Sequence, residues 1–352
     1  MSPMRTRGLA ALAVGLTLTG TLCYLVHADQ RAQMETRFQR DTDKVARDTE
    51  ARLQTCFDVL LGFKGIYALD DRIDRARFHR FSAELKLERR YPGFQAVQFV
   101  RAVPEDRLDA FAAAVRADTS VDAGGYPNFR VHPVTHAPVH YVIEYTAPDK
   151  GNENAFGLDL AALPPHLRAA MLARDSGEIV STEPITLVQD VTGEPGFIAR
   201  APVYRNGAPV GSEAQRRDAL VGFVALVFRV NALMREVIDG ALLEHLHVRI
   251  EDGGYVNGAM TPRAAGGNSG SLLYDSAGKL APQRADNVGL VAEKVLEVGQ
   301  RRWLLRFEGK PGARYGGASA AVLAVALAGA IISVLAAGIL MLRPAKPGAV
   351  QP

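Results

Sequence analysis

Three histidines at intervals of four, His132, His136 and His140, are the residues whose type and spacing first suggest chemistry, because imidazole nitrogens ligate zinc. Pro133 and Pro138 break any helix through them. In extended chain four residues span roughly 13 Å, too far for three ligands on one ion. They read as a solvated loop. His245 and His247 share a face of an expected strand, but two ligands fall short of the three protein ligands a zinc site needs. Gly267-Asn268-Ser269-Gly270 resembles a serine nucleophile loop, without a His and Asp context to serve it. Glycine-serine runs are ordinary linkers. The chain has no P-loop, no Gly-x-Gly-x-x-Gly and no His-Glu-x-x-His. No catalytic set, metal or cofactor is expected.

Carboxylates in apolar surroundings are more informative. Between Tyr141 and Tyr204 lie Glu144, Asn152-Glu153-Asn154 and Gly157-Leu158-Asp159-Leu160. Asp159 sits among apolar residues just before a proline-initiated helix. Such a carboxylate either caps the helix or pairs with a base, or it offers an acceptor inside a pocket. Tyr141 and Glu144, on the strand before it, are counted with it. Cys56 is the only cysteine outside the apolar end segments, so no disulfide forms within that region. It reads as a small buried side chain, with a cross-link between two copies as the alternative. A net charge of +3 on 352 residues, with no basic-aromatic cluster, excludes nucleic acid as the partner.

The elements that must position these residues can be read from period and punctuation. Asp29 to about Arg52 is charge-dense and free of Pro and Gly, with Met34, Phe38 and Val45 at helical spacing. So thin an apolar face predicts a stalk helix paired with a second copy. Asp74 is placed to cap a helix burying Phe78, Phe81 and Leu85. Phe94–Val103 reads as a buried strand, and Pro104 as the first residue of a helix carrying Leu108, Phe111 and Val115. Val139–Tyr145 is a strand, Pro165 opens a helix and Gly177 closes it. Further strands are expected at Ile179–Ser181, Ile185–Gln189, Gly196–Val203 and Leu220–Phe228. Asn231–Ile238 is a helical connector. Leu246–Ile250, Ser271–Tyr274 and Trp303–Phe307 form a second, smaller unit, with Gly266–Gly270 as a loop. This mixture predicts an α+β fold with helices over one face of a sheet.

Several of these segments carry a family resemblance. Tyr91-Pro92-Gly93-Phe94-Gln95-Ala96 followed by Phe99-Val100-Arg101-Ala102-Val103-Pro104 resembles the opening signature of CHASE domains. Asn154–Leu160, Arg168–Gly177, Pro184–Gln189, Gly196–Tyr204 and Gly222–Val230 resemble the later blocks, in order, across about Arg77 to Leu233. CHASE domains are extracytoplasmic sensors of histidine kinases and nucleotide cyclases, including the plant cytokinin receptors. The resemblance implies a long stalk helix followed by two PAS-like units, the membrane-distal one binding ligand. It places Asp159 where cytokinin-binding members hold an adenine-like ring and Ser181 near the pocket. Arg200 stands where a plant-type threonine lines the cavity. An arginine facing the pocket favours an anionic over a purine-like ligand; the alternative is an outward, solvated Arg200.

The ends set the compartment. Gly8–Val26 and Ala318–Leu342 are uncharged and long enough to cross a ~30 Å hydrocarbon core. Arg5, Arg7, Arg343 and Lys346 predict both termini inside the inner membrane and the middle outside, in the periplasm. A cleaved signal peptide ending near Val26-His27-Ala28 is the alternative for the first segment. The expected layout is a span at residues 8–26, a stalk at 27–76, a CHASE-type ligand domain at 77–233 and a membrane-proximal unit at 234–315. A second span at 318–342 and a short tail at 343–352 follow. With only that tail beyond the second span, the chain is expected to work as a non-enzymatic sensor, dimeric through its stalk. It would lend its signal to a partner kinase or cyclase. The competing readings are an envelope scaffold on a degenerate CHASE fold and an extracytoplasmic hydrolase.

Overall fold

The computed structural model describes residues 3–70, 73–91, 93–187, 193–258, 272–278, 289–310, 312, 314–315 and 320–342. The expected loop Gly266–Gly270, its serine motif, the ends of Ile185–Gln189 and of the Ala318 segment, Ser271 and the tail 343–352 lie outside the described residues. The chain divides into two compact units. One comprises Met1–Asp41, Val288–Leu290 and Gly309–Pro352; the other comprises Thr42–Asn287 and Val291–Glu308.

Helix α1 (Pro3–Leu69) has residues in both. In the first unit it meets the C-terminal helix Ala320–Leu342, and both are long and apolar enough to cross a membrane. Gly8 lies against Met341, Gly15 against Ser333, and Thr19 against Gly329, an antiparallel seam of small residues that lets two backbones approach closely. Beyond the seam, Asp41 accepts from Arg314 Nη2 at 2.8 Å and from the Tyr315 hydroxyl, while Phe38 meets the Tyr315 ring edge-on at 5.4 Å.

The second unit is α+β. After α1 come α2 (Arg75–Leu85), α3 (Leu87–Arg90), β1 (Phe94–Pro104), α4 (Leu108–Arg116), β2 (Val139–Ala147) and α5 (Pro164–Ser176). Then follow β3 (Val180–Ser181), β4 (Ile185–Thr186), β5 (Pro195–Tyr204), α6 (Glu213–Ala219), β6 (Leu220–Arg229), α7 (Val230–Val237) and α8 (Gly240–Leu243). The last strands are β7 (Leu246–Tyr255), β8 (Leu272–Asp275), β9 (Val291–Val298) and β10 (Arg301–Gly309), with the C-terminal helix as α9. The first sheet runs β2-β1-β6-β5-β3, with β4 also on β5; the second runs β8-β7-β10-β9.

Packing explains the layers. α5 presents Ala169, Ala170 and Ala173 to Val100, Ile143, Val180 and Phe223, all nearly fully buried, because alanine lets a helix lie close on a sheet. The end of α1 covers the sheet elsewhere, with Tyr67 stacked on Phe99 at 4.5 Å and Phe63 against Phe78. Phe197 stacks on Phe228 at 5.2 Å and meets Trp303 of β10 edge-on at 5.1 Å, joining the two sheets. Asp74 caps α2 by accepting from Arg77 N, and Gly177 ends α5 in the left-handed region (φ 85°).

Three expectations change. Pro104 is the last residue of β1, with backbone angles of −58° and 147°; a short 3-10 turn intervenes before α4. α6 and β9 were not read: α6 rests on a Ser212/Gln215 capping box, and β9 is a half-exposed strand, Val291-Ala292-Glu293-Lys294-Val295. Phe38 and Val45 are 1% and 2% exposed within the single chain, so a second copy is not needed to cover them.

Candidate functional site

Asp159 is fully buried and accepts four hydrogen bonds. An antiparallel bridge of Asp159 to Val142 holds its segment against β2, and a parallel bridge joins Leu158 to His132. One oxygen accepts from Tyr141 N and Ala161 N, each at 3.0 Å; the other accepts from Thr135 Oγ1 and His140 Nδ1, each at 2.7 Å. Burial alone raises its pKa, but the bonds from His140, Ala161, Thr135 and Tyr141 outweigh that and hold it below the usual range. His140 is equally buried and donates its other nitrogen to Glu105. Burial opposes its charge, and the two carboxylates overcome burial and raise its pKa. Glu105–His140–Asp159 is therefore a carboxylate–imidazolium–carboxylate clamp.

This corrects the solvated-loop reading for His140. His136 is exposed, 3.8 Å from Glu105, and half-buried His132 faces the Phe156 carbonyl at 3.1 Å. The physical reason is position: His140 belongs to β2, which is buried from His140 to Ala147, whereas its two neighbours precede the strand.

Arg200 is also fully buried, on β5 opposite Val180 of β3 and Ala225 of β6. That register turns it toward α5, and the outward, solvated alternative is excluded. Its Nη2 donates to His166 Nδ1 at 3.0 Å, while Nε and Nη1 meet no acceptor among the described residues. Burial, followed by the Arg200 charge, pushes His166 down to about 3, so its ring is neutral. Burial pushes Arg200 itself down to about 9. Among the described residues the other two fully buried arginines meet carboxylates: Arg75 donates to Asp118 at 2.8 Å and Arg301 to Asp252 at 2.7 Å, and half-buried Arg101 donates to Glu144 at 2.7 Å. A buried charge without a counter-charge costs several kcal/mol, so Arg200 is the electrostatic exception.

The remaining expected residues divide. Tyr141 stands beside Asp159 through its backbone N–H, and its ring packs on Phe223 at 5.8 Å. Glu144 falls in a β-bulge between β1 and β2 and is occupied by Arg101. Ser181 is buried opposite Ala199, on the other face of the sheet from Arg200; its N–H donates to Gly299 O at 2.8 Å. The structure thus brings together Asp159 and Tyr141, and it turns Ser181 and Glu144 elsewhere. Sequence reasoning missed His166, which lies one position past a proline pair that had been read only as a helix start.

Two open depressions lie elsewhere. One of about 620 Å³ is walled by Tyr126, Phe129, Phe156, Asn128 and Asn154; the other, of about 390 Å³, by His79, Ser82, Lys86 and Phe94. Among the described residues no group of three His, Cys, Asp or Glu side chains is placed to hold a metal ion. His247 instead lies between Asp275 and Glu308, and Cys56 is buried.

Two solved structures resemble the chain. The ligand-binding domain of the Pseudomonas aeruginosa PAO1 amino acid chemoreceptor PctC, in complex with GABA, is 13% identical. The match covers 77% of this chain and 97% of that one, with a TM-score of 0.38. Methyl-accepting chemotaxis protein X is 15% identical, covering 81% of this chain and 99% of that one, with a TM-score of 0.45. Among curated proteins none matches. The profile of the CHASE domain matches residues 71–266, more than half of the chain, from the loop before α2 to beyond β7. The chain belongs to the CHASE domain family.

Proposed function

We propose that the protein is a membrane-anchored, extracytoplasmic sensor that binds a small anionic molecule at Arg200 and passes the signal to a separate partner protein. The observation that carries this reading is Arg200, a fully buried guanidinium with unspent donors and no carboxylate. A planar fork of N–H donors recognises a planar oxyanion. α5 and β5 form the ligand layer. Tyr141 belongs to its far wall, and Asp159 shapes that wall by fixing the backbone of Tyr141 and Ala161. Ser181 and Glu144 serve the fold. In this reading the two apolar helices anchor the domain, both termini are cytoplasmic, and a homodimer through α1 presents the signal to a kinase or cyclase. A differential affinity for two arrangements of the stalk is then required, because a ligand that binds both equally shifts neither.

The saturated Asp159 is what an envelope scaffold on the same fold predicts; the unsaturated Arg200 is what it does not. Thermal unfolding of the full chain in detergent micelles, against carboxylates, phosphates, amino acids, sugars and purines, separates the two. A ligand at a hundred times its dissociation constant adds about 2.7 kcal/mol. A shift that vanishes in Arg200→Gln supports the sensor. No shift with any anion, beside unchanged melting of Arg200→Gln, refutes the anion site and favours the scaffold.

A further inference from the structure

Resting on the reading of Arg200 as an anion anchor, we infer that its ligand carries a single carboxylate, and that neutral His166 is the positioning residue that sets this charge class. The site's charge is one positive unit. Arg200 spends one N–H on His166 Nδ1 at 3.0 Å, so that nitrogen accepts and the ring proton sits on Nε2. A neutral acceptor orients the guanidinium plane without cancelling its charge. Aspartate at the same position would cancel it, as Asp252 does for Arg301 and Asp118 for Arg75.

Among the described residues, neither the arginines of α5 nor the buried Arg301 of β10 is free to balance a dianion. On α5, Arg168 lies 3.9 Å from Glu183 and Arg174 donates to Asp175 at 2.6 Å. On β10, Arg301 gives both edge nitrogens to Asp252. Phosphate or sulfate at this depth would bury a second negative charge against no partner, at a cost of several kcal/mol. A carboxylate matches both the single charge and the fork geometry.

The test uses the full chain in detergent micelles at pH 7.5, titrated with acetate, butyrate, γ-aminobutyrate, inorganic phosphate and sulfate and followed by melting and by calorimetry. The expected result is saturable binding of at least one carboxylate, with phosphate and sulfate at least tenfold weaker. His166→Gln keeps a neutral acceptor and should retain that preference. His166→Asp should melt no lower than the wild type yet lose carboxylate binding by tenfold or more, because the side chain now supplies the carboxylate. Retained binding in a folded His166→Asp, or phosphate binding as tightly as the best carboxylate, overturns the inference and leaves the anion anchor standing. Absence of binding by all five probes overturns both. A His166→Asp that fails to fold does not decide the matter, since the wild-type selectivity and His166→Gln still do.

Discussion

Replacing Asp159 by alanine tests whether the clamp organises the ligand wall. The carboxylate accepts four hydrogen bonds and is fully buried. Alanine strands two backbone donors, Tyr141 N and Ala161 N, at about 1.5 kcal/mol each, within the usual range for an unsatisfied buried group. Thr135 and His140 lose a shared acceptor, for about 1 kcal/mol more. The sum, about 4 kcal/mol, lies inside the 3–5 kcal/mol typical of breaking a buried ion pair. For a unit of this size each kcal/mol moves the melting temperature by roughly 2–4 °C, so a fall of about 8–16 °C is expected. Thermal unfolding in detergent gives the global number, and hydrogen exchange at the Tyr141 and Ala161 amides gives the local one. Asp159→Asn keeps an acceptor for both backbone N–H groups and should lose about half as much. A fall below about 2 °C with unchanged exchange at both amides would refute the argument and return Asp159 to a direct ligand contact.

The same clamp predicts a stability optimum in mildly acidic solution. His140, raised, stabilises fully below its unfolded value near 6.5 and loses that contribution as pH climbs through its higher folded pKa; Asp159 and Glu105, lowered, contribute above about 4 and lose it as pH falls through their depressed values. Melting temperature against pH should therefore fall on both sides, and His140→Gln should flatten the alkaline side and weaken the acid side, because the His140 bonds also hold Asp159 and Glu105 down. Gly222→Ala in β6 places a methyl 2.1 Å from the Val100 carbonyl oxygen, which is backbone and cannot swing away. A loss of at least 1–3 kcal/mol is expected in denaturant unfolding, and wild-type stability would contradict the register of β1 with β6. Cys56 is 2% exposed and its thiol is pushed up by burial to about 11. In a Cys23→Ala background it should resist maleimide until the chain unfolds, and a disulfide-linked dimer in mild oxidant would contradict its burial within the single chain.

Legibility followed from how local each determinant is. Asp74, Gly177 and the apolar runs of β1, β5 and β6 announce themselves within a few residues, since a cap, a left-handed glycine and a buried strand each leave a compact signature. The family blocks were legible for the same reason, being short segments in fixed order. β9 was not, because half its residues face solvent and Glu293, Lys294 and Glu297 mask the period of two. His140 was misread because two exposed relatives shared its spacing, and only the entry of β2 separates them. The Glu105–His140 pair, 35 residues apart, and the Arg200–His166 pair, 34 apart, are tertiary facts with no local trace.

In the proposed sensor, the contrast between Asp159 and Arg200 favours Arg200 as the recognising group. Both are buried ionic groups, but one has its bonds complete and the other does not. A carboxylate with four internal donors gains little from a ligand amine, which must first displace His140 and its charge. A guanidinium with one neutral partner gains from any fitting oxyanion, and loses nothing by accepting it. The family resemblance alone ranks Asp159 first, because a sequence pattern shows position and not the saturation of a side chain's bonds. Physical accounting of donors and acceptors reverses the order. A carboxylate at position 159 is thereby compatible with ligands unlike an adenine: it holds Tyr141 N and Ala161 N, and in the proposed sensor the selecting charge is that of Arg200 on β5.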